Sequence, residues 1–564
     1  MFGELKTSYE FGPFRVDPRE RQLIRNGEVV PLRPKVFDIL LLLVQNSGHV
    51  LTKDDVMRHI WFNTAVEEGN ISRTISTLRT VLGEHPRDRR YIETIPWRGY
   101  RFVANVREVW IEEAGKRIDS IAVLPFVNVN EDPKTDYLVD GITDDVIRSL
   151  AQSRLLRVTS RNSAFRYKGR EIDAQSVGRE LKVQALLLGR VSRSDDLLSI
   201  RVELVDARDD RHLWGAQYLR PPDDLLAVCD TIARKIGDQL RLQSPVGEQP
   251  THHSPIHEAH VLYLKGRYHF TKLTPDGVQR AKEYLLQATQ LDPDYALGYA
   301  ALSDCHNYVA ERLEAKAAVL KALALDEALG EAHATLGFYR FLYEWDFAGA
   351  EDSFKRSLAL NPNYAEAHHW YAIYLANLGR HDEAEREAKR AVELDPLSLL
   401  MNMTAALNFY IAREPDQAIE QLQRVLELEP NYLVARSVMG NVLVQKKLYE
   451  QAIREFQKVM ELVKGAPAVE VSVKAIIAQA YGRWGNRKEA LKLLEEVASA
   501  GTTSWYSIAG IYAALGEVDS AFESLDKAYE QHDLSLVSLK VDPSLDGVRS
   551  DPRFDQLITA VGIP

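Results

Sequence analysis

The stretch "NISRTISTLRTVLGEHPRDRRYIETIPWRGYRF", from Asn70 to Phe102, joins a polar, arginine-bearing helical pattern to a run rich in β-branched and aromatic residues. It contains seven arginines and three acidic residues, whereas the whole chain of 564 residues has a formal net charge of -11. A basic segment in an acidic protein indicates contact with a polyanion. The stretch therefore predicts both a local fold, helix then hairpin, and the charge of its partner.

The first part of this stretch predicts an amphipathic helix over residues 70–82. Four apolar residues recur at helical spacing and form one stripe: Ile71, Ile75, Leu78 and Leu82. The opposite face carries short hydroxyl and amide side chains mixed with arginine: Asn70, Ser72, Arg73, Thr74, Ser76, Thr77 and Arg79. Hydroxyls can bond phosphates or base edges, and arginine can bond guanine bidentately or neutralise phosphates. We expect this face to enter the major groove of DNA.

The second part, residues 91–103, predicts a β-hairpin with Arg98 and Gly99 at its tip. A hairpin beside a helix that reads the groove can carry Arg98 or Arg101 to the adjacent minor groove or to the phosphate backbone. Exposed polar, basic helix faces are more often plain solvated surface than binding sites. The order of elements around this stretch changes that balance in favour of DNA.

The residues upstream of the stretch complete a small α+β domain. Short apolar runs between Tyr9 and Leu32, with Asn26-Gly27 as a turn signal, predict an antiparallel sheet. Two helical patterns follow, at 33–48 and at 51–62, the second with Thr52 as its N-cap. Residues 1–109 carry a net charge of +3 and the remaining residues a net charge of -14. We expect the basic head to meet a polyanion and the acidic body to avoid it.

Residues 9–106 resemble the winged-helix DNA-binding domain of the OmpR/PhoB type, in particular its CadC/ToxR-like branch. The run Thr94 to Phe102, "TIPWRGYRF", carries the resemblance together with "LRPKVFDILLLL" and "NISRTISTLRTVLG". The resemblance implies that helix 70–82 is the recognition helix, that 91–103 is the wing with Arg98 and Arg101, and that residues 62–69 form a loop able to contact RNA polymerase. It also implies that the domain can pair as a dimer on double-stranded DNA.

Residues 118–242 alternate β-like and helical patterns and predict an α/β domain. "IAVLPF", "DGITDDVI" and "LLGRVSR" resemble the TolB-like segment of bacterial regulators. Motifs for nucleotide hydrolysis, zinc hydrolysis or a serine nucleophile are missing from the sequence, so we predict no enzyme, no metal and no cofactor. Asp144-Asp145 is more often an exposed first helical turn than a metal pair, and Cys229 has the spacing of a packed thiol.

The C-terminal half repeats with a period of 34 or 35 residues. The tripeptides "LDP", "LDE", "LNP", "LDP" and "LEP" begin at Leu291, Leu325, Leu360, Leu394 and Leu428. Two columns of small or β-branched residues recur with them, starting at Ala281 and at Ala288. The pattern resembles the tetratricopeptide repeat, a helix–turn–helix unit that stacks into an all-α superhelix. We predict about eight repeats over 258–530.

Two further segments flank the repeats. Residues 243–257 are polar and proline-rich and predict a linker, and 531–564 predicts a C-terminal cap that covers the last repeat. The cap would use four apolar residues: Leu545, Val548, Phe554 and Leu557. Some polar and aromatic residues could contact a ligand on the concave side, although packing between repeats is the more frequent role at such positions: Tyr299, His368, Trp370 and Arg436.

The cysteine count and the length of the apolar runs indicate a reducing compartment and no membrane span. The chain has only two cysteines, far apart, and the apolar run Val36 to Val44 is far shorter than the ~20 residues that a membrane span needs. We therefore predict a cytoplasmic, bacterial protein without membrane contact or signal peptide.

The leading hypothesis is a DNA-binding transcription regulator whose repeat array receives a protein or peptide signal. The alternative is an interaction scaffold in which the array is the main functional unit, and a catalytic middle domain is the weakest third hypothesis. Salt-dependent DNA binding separates the first two, since neutralising phosphates makes affinity fall steeply with salt.

Overall fold

A computed structural model describes two compact units, Met1–Arg117 and Ile118–Pro564. The described residues are 7–18, 21–25, 28–60, 69–84, 90–110, 118–130, 135–194, 197–221, 225–240, 254, 256–270, 274–308, 311–501 and 504–564. The fold class follows the prediction: a winged-helix region, a mixed-sheet region and a long helical array.

The first unit contains two small sheets and three helices: β1 Thr7–Phe11, β2 Phe14–Asp17, β3 Gln22–Arg25, β4 Glu28–Val30, α1 Pro34–Gln45, β5 Val50–Thr52, α2 Lys53–Ile60, α3 Gly69–Val81, β6 Ile92–Ile95, β7 Gly99–Phe102 and β8 Arg107–Trp110. The first sheet has the order β4-β3-β2-β1-β8, with antiparallel neighbours. The second has the order β5-β7-β6, also antiparallel. The predicted Asn26-Gly27 turn lies outside the described residues.

The core of the first unit is built from the stripes that the sequence predicted. Ile71, Ile75 and Leu78 of α3 are buried against α1 and the sheets. Phe11 packs edge-on against Phe102, with ring centroids 4.8 Å apart, and this contact joins the two sheets. Burial of each large apolar side chain contributes about 1.5–3 kcal/mol. The polar side of α3 is thereby forced outward.

The second unit begins with a six-stranded mixed sheet and its helices: β9 Ser120–Val123, β10 Val127–Asn128, α4 Asp136–Ala151, β11 Arg157–Val158, α5 Arg161–Phe165, α6 Ala174–Glu180, β12 Ala185–Ser194, β13 Leu197–Asp206, β14 Arg211–Arg220 and α7 Leu225–Gln239. The strand order is β11-β9-β12-β13-β14, and β10 pairs with β12. The first three strands of this order are parallel and the last three antiparallel.

Sixteen helices follow within the described part of the chain, as eight consecutive pairs: α8 His257–Phe270, α9 Pro275–Leu291, α10 Ala296–Tyr308, α11 Arg312–Leu325, α12 Gly330–Tyr339, α13 Phe347–Leu360, α14 Ala365–Asn377, α15 His381–Leu394, α16 Leu399–Ile411, α17 Pro415–Leu428, α18 Leu433–Gln445, α19 Tyr449–Leu462, α20 Pro467–Trp484, α21 Arg487–Ser499, α22 Trp505–Leu515 and α23 Val518–Glu530. A last helix, α24, spans Pro552–Val561. We call the first helix of each pair the A helix and the second the B helix.

The repeated small residues explain how these helices approach one another. The first column lies on the B helices and is buried throughout: Ala281, Ala315, Ala350, Ala384, Ala418, Ala452, Ala490 and Ala521. The second column, seven residues later, is buried as well: Ala288, Ala322, Ser357, Ala391, Val425, Val459, Val497 and Ala528. Small side chains at the contacts let paired helix axes come close together.

The α/β region and the repeats share one hydrophobic core, which includes Ile142 of α4 and Leu264 of α8, and two repeat junctions also bind the α/β region directly. The Asn363 side-chain amide donates to the carbonyl oxygens of Ala151, Ser153 and Leu156 at 2.9, 2.9 and 3.0 Å. The buried Asp395 carboxylate accepts from Ser163 and neighbouring polar groups, and burial raises its pKa. The sequence predicted these junctions only as turns. Of the predicted linker 243–257, only Ser254, Ile256 and His257 fall in the described residues.

The C-terminal residues do more than cover the last repeat. Helix α24 packs against α23, as a cap would, with Arg553 over the Phe522 ring. Residues 531–551, here called the tail segment, instead contact the turns that follow several A helices. His532 stacks on Trp345, with centroids 3.7 Å apart, and Arg413 Nη1 donates to the Val541 carbonyl at 2.9 Å. The tail segment therefore ties early repeats to the last one.

The four residues proposed for a concave ligand surface are all used in packing. Trp370 stacks on Phe338 at 5.1 Å, and the amine of Lys321 lies 5.9 Å from the ring of Tyr299. His368 binds Glu387 and the Pro362 carbonyl, and Arg436 binds Glu455 and the Pro430 carbonyl: these contacts hold neighbouring turns together. The packing role, which the sequence made the more frequent one, is the role observed.

Candidate nucleic-acid interface

Helix α3 presents a polar face of which most is exposed in the described part of the first unit, although Ser72 Oγ lies 3.3 Å from the Tyr100 hydroxyl. The apolar stripe of α3 packs into the core, so most of the remaining residues face solvent. The exposed residues of this helix are Asn70, Ser72, Arg73, Ser76, Thr77 and Thr80. Thr74 and Arg79 are half-buried at its edges. The helix begins at Gly69 and ends at Val81, close to the predicted bounds of 70 and 82.

The threonines of α3 are preorganised as hydrogen-bond acceptors. Thr74, Thr77 and Thr80 each donate their hydroxyl proton to the carbonyl four residues earlier, at 2.8, 3.0 and 3.1 Å. A hydroxyl that donates to the backbone keeps lone pairs that point away from the helix. Those lone pairs can accept from the exocyclic amino groups of adenine or cytosine in a major groove. The threonine face can therefore read bases without reorganising.

Arg73 is the cation that α3 leaves available. It is exposed, and among the described residues its guanidinium makes no hydrogen bond and no ion pair. It lies between the exposed Asn70 and Thr77, one helical turn from each. A planar guanidinium in this position can bind guanine O6 and N7, or a phosphate, bidentately.

Arg79, predicted to contact DNA, instead holds the helix to the hairpin. Its Nη2 donates to the Ile92 carbonyl at 3.0 Å and to Thr94 Oγ1 at 2.7 Å. Its Nε lies 3.5 Å from the Glu84 carboxylate, and only 15% of its side chain is exposed. Sequence spacing cannot distinguish an arginine at the edge of the polar face from one at its centre, and contact of Arg79 with DNA stays a prediction. In the structure its guanidinium holds α3 against the hairpin.

The hairpin of β6 and β7 places Arg98 at its exposed tip. The turn closes with the Arg98 amide donating to the Ile95 carbonyl at 3.1 Å. Gly99 follows at φ +151°, and a Cβ there would lie 2.0 Å from the Leu51 carbonyl oxygen of β5. Only glycine lets β5 and β7 pair at this point. The glycine thus fixes the direction in which Arg98 leaves the sheet.

Arg101 is on the side of the hairpin and is paired across the strands. Its Nε and Nη2 donate to Glu93 at 3.1 and 2.6 Å, in register with the β6–β7 pairing. Arg101 and Glu93 are 38% and 42% exposed, so the pair is a solvated surface contact that contributes at most about 1 kcal/mol. Arg101 can exchange this partner for a phosphate, whereas Arg98 needs no such exchange.

Two residues of this surface were missed by the sequence reasoning. Trp97, next to Arg98, is fully exposed and has a left-handed backbone with φ +64°. An apolar ring at a hairpin tip, with no core to enter, was a visible signal. Glu84 accepts from the Ile92 amide at 2.9 Å and binds Arg79, and its role was invisible because it follows the helix stop. The predicted polymerase loop, 62–69, lies outside the described residues except at Gly69, where α3 begins.

Comparison with known proteins identifies the class of domain that carries this surface. Residues 27–102 match the family model described as "Transcriptional regulatory protein, C terminal". CadC of Escherichia coli, a transcriptional activator, is 35% identical over 109 residues, which are 19% of this chain and 21% of CadC. Residues 27–102 are the winged-helix DNA-binding domain of a transcription regulator. The solved DNA-binding domain of E. coli CadC is 31% identical, spans 19% of this chain and all of that one, and gives a TM-score of 0.17.

Some relatives match this chain over more residues than its first unit contains. The transcriptional regulator HilA of Salmonella typhimurium is 24% identical over 400 residues, which cover 68% of this chain and 70% of HilA. Putative adenylate cyclase 3 of Rhizobium meliloti is 36% identical over 187 residues, or 33% of this chain, and the match spans about a third of that protein. Residues 353–386 and 502–531 match tetratricopeptide repeat models, which confirms the repeat prediction.

The residues that the sequence singled out as possible metal or thiol sites are engaged in pairing or packing. The described residues include no group of three histidine, cysteine or acidic side chains that could hold a metal ion. Asp144 pairs with Arg161 at 3.0 Å, and Cys229 is buried in the core with its pKa raised by that burial. Among the described helices, none is both long and apolar enough to cross a membrane.

Proposed function

We propose that this regulator binds promoter DNA with α3 in the major groove and the β6–β7 hairpin on the adjacent groove or backbone. The observation that carries the proposal is the polar face of α3, whose exposed Arg73 has no partner among the described residues. A face of hydroxyls and unpaired guanidinium is matched to base edges and phosphates.

The site residues divide into three roles. Base reading is assigned to the exposed centre of α3, which comprises Asn70, Ser72, Arg73, Ser76 and Thr77, with Thr74 at its edge. Backbone contact is assigned to Arg98 and, after release from Glu93, to Arg101. Positioning is assigned to Arg79, because its guanidinium is already bound to the hairpin.

The repeat array is proposed as the input side of the regulator, receiving a protein or peptide signal. Support comes from the tetratricopeptide matches and from the net charge of -14 on residues 110–564, which repels DNA phosphates. The chain's resemblance further suggests contact of loop 62–69 with RNA polymerase, pairing on tandem DNA sites, a TolB-like role for 118–242 and a cytoplasmic location. No catalytic step is assigned to any residue.

The test is selection of DNA sequences by the full chain from a random pool, followed by affinity measurement at several salt concentrations. We expect one enriched motif, with log affinity falling by about 0.9 per neutralised phosphate for each unit of log salt. Arg73→Ala and Thr77→Ala should lower discrimination between motif and random DNA, and Arg98→Ala should weaken both alike. Absence of binding at low salt would remove the regulator proposal and favour the scaffold alternative.

A further inference from the structure

The turns between A and B helices share a backbone feature that is common at the C-terminal ends of helices. Six of these turns contain a residue with left-handed φ, at spacings near the repeat length: Trp345, Gly379, Arg413, Lys447, Gly485 and Gly516, with φ of 54°, 77°, 65°, 61°, 86° and 76°. Glycine adopts this conformation freely, whereas other residues are strained in it. Three turns use glycine, so the remaining three hold a strained side chain where the repeat does not require one.

Two of the three strained residues have a visible structural use. The Trp345 ring stacks on His532 of the tail segment. Arg413 donates to the Val541 carbonyl at 2.9 Å and to the Asp546 carboxylate at 2.7 Å. Both side chains bind the tail segment to the array, and these contacts offset the strain. Residues held in strained conformations cluster where a contact over-determines them.

Lys447 departs from this pattern. Its side chain is exposed, and within the described ranges it forms no hydrogen bond and no ion pair. Its neighbour Lys446, in contrast, binds Asp416. The exposed ammonium of Lys447 is therefore available to a ligand.

Lys447 lies on the wall of a cavity of about 480 Å³. Arg413 and Arg483 share the wall with it, as do Tyr449 and Asp546. The only carboxylate among these lining residues, Asp546, is paired with both Arg413 and Arg549, and Arg483 donates to the Pro543 carbonyl. Three cations against one acid leave the cavity with a formal surplus of positive charge, centred on Lys447.

We propose that this cavity binds a small organic oxyanion, a carboxylate or phosphate compound, through Lys447 with Arg413 and Arg483. Its volume falls within the range of about 300–1,000 Å³ that small-molecule sites occupy. Guanidinium and ammonium groups form the charge-assisted hydrogen bonds that oxyanions require. The tail segment forms one wall of the cavity with Asp546 and Gly547. Because this protein segment already borders the cavity, the space left suits a small molecule better than a second segment.

The site goes beyond the proposed function, and its test needs no DNA. Isothermal titration of the full chain uses sodium citrate and sodium pyrophosphate as separate probes, at constant ionic strength set with sodium chloride. An aspartate-rich peptide is the third probe. Lys447→Gly removes the cation and also relieves the strain, so this variant keeps its fold. Lys447→Arg retains the charge, and Lys446→Ala is the matched control outside the cavity.

We expect saturable binding of citrate or pyrophosphate with one site per chain. Lys447→Gly should weaken it about tenfold or more, since one charge-assisted contact is lost. Lys447→Arg and Lys446→Ala should bind within about threefold of the original chain, because both keep the cavity's three cations. No saturable binding of either small probe, equal binding by Lys447→Gly, or binding of the peptide alone would each overturn the proposal. The pair of probes separates a carboxylate from a phosphate ligand.

Discussion

Arg73 and Arg98 of the first unit differ from Arg380 and Arg549 of the second in whether their guanidinium groups are bound. In the first unit, Arg73 and Arg98 extend into solvent and have no partner among the described residues. In the second, Arg380 binds both Glu351 and Glu383, and Arg549 donates to the carbonyls of the tail segment. A guanidinium that is already bound stabilises its own fold, and one that is left free can bind DNA.

The contrast also runs through the first unit on a smaller scale. Arg79 and Arg73 lie six residues apart on one helix, yet Arg79 is fixed to the hairpin and Arg73 is free. Fixing the edge of the helix holds its centre in place, which lowers the entropy that binding must remove. The bound Arg79 thereby limits the motion of the helix that carries Arg73.

Gly99→Ala is the substitution with the largest expected effect, because it should disrupt the sheet that carries the free Arg98. The new Cβ would lie 2.0 Å from the Leu51 carbonyl oxygen, so β5 and β7 could not stay paired. We expect the first unit to lose about 3 kcal/mol or more and the chain to lose DNA binding altogether. Urea unfolding followed by Trp fluorescence, with DNA affinity measured in parallel, checks both effects.

Gly83→Ala is the control for that substitution. Gly83 also has positive φ, at +74°, but beyond its chain neighbours no atom of the described residues lies within 4 Å of the place that an alanine Cβ would take. Its replacement should cost only about 1 kcal/mol of backbone strain and leave DNA binding intact. Equal losses in the two variants would mean that the steric contact with β5 is unimportant.

Arg79→Ala is expected to have the next largest effect, because it removes the side chain that binds α3 to the β6–β7 hairpin. The variant leaves Glu84 and the Ile92 carbonyl without their cation, at a cost of about 2–3 kcal/mol. DNA affinity should fall for all sequences alike, because the hairpin loses its orientation. Arg79→Lys should restore only part of the stability, since an ammonium cannot reproduce two directed contacts. Selective loss of motif recognition at unchanged stability would show that Arg79 reads bases after all.

Much of the fold could be predicted because it rests on periodic patterns. The stripe of α3 and the two columns of small residues repeat at spacings that sequence displays directly, and all of them are buried. The exposed face of α3 followed from the same periodicity. These features depend on local geometry, which the chain encodes within a few turns.

The rest depended on contacts between distant residues. Sequence treats Arg73 and Arg79 alike, and only the position of β6 separates their roles. Likewise, Asn363 reads as a turn residue, yet it binds three carbonyls more than two hundred residues away. The course of the tail segment over the A-helix turns was unpredictable for the same reason. A single sequence, taken by itself, holds no record of such pairings.

Arg73→Ala tests whether the exposed arginine of α3 reads bases. We expect a loss of about 1–3 kcal/mol in affinity for the selected motif, the range for one bidentate base contact. Affinity for random DNA should fall far less, and stability should not change because Arg73 is exposed and unpaired within the described residues. Competition binding with motif and random duplexes measures the ratio. An equal loss for both duplexes would reassign Arg73 to a phosphate.

Glu366→Gln tests how a buried carboxyl group of the second unit makes stability depend on pH. Burial raises the pKa of Glu366 from 4.5 to about 7, so the folded state holds its proton more tightly than the unfolded chain. The folded state therefore loses stability as pH rises from about 4.5 to about 7, on the order of 3 kcal/mol. Glutamine removes this dependence, and urea unfolding at pH 5 and pH 8 should show the variant gaining at pH 8 only. Glu385→Gln, exposed on α15, should behave like the original chain.

Arg98→Ala should have the smallest effect and separates backbone contact from base reading. Arg98 sits at the hairpin tip and bonds nothing but its own turn in the described structure, so its loss should leave stability unchanged. Affinity should fall by less than about 1 kcal/mol for motif and random DNA alike, and the salt slope should decrease by about 0.9, the value for one phosphate. Arg98→Lys should keep the slope, because it keeps the charge. A slope that stays the same in Arg98→Ala would place the tip away from the duplex, and the free arginine of the hairpin would then need another partner.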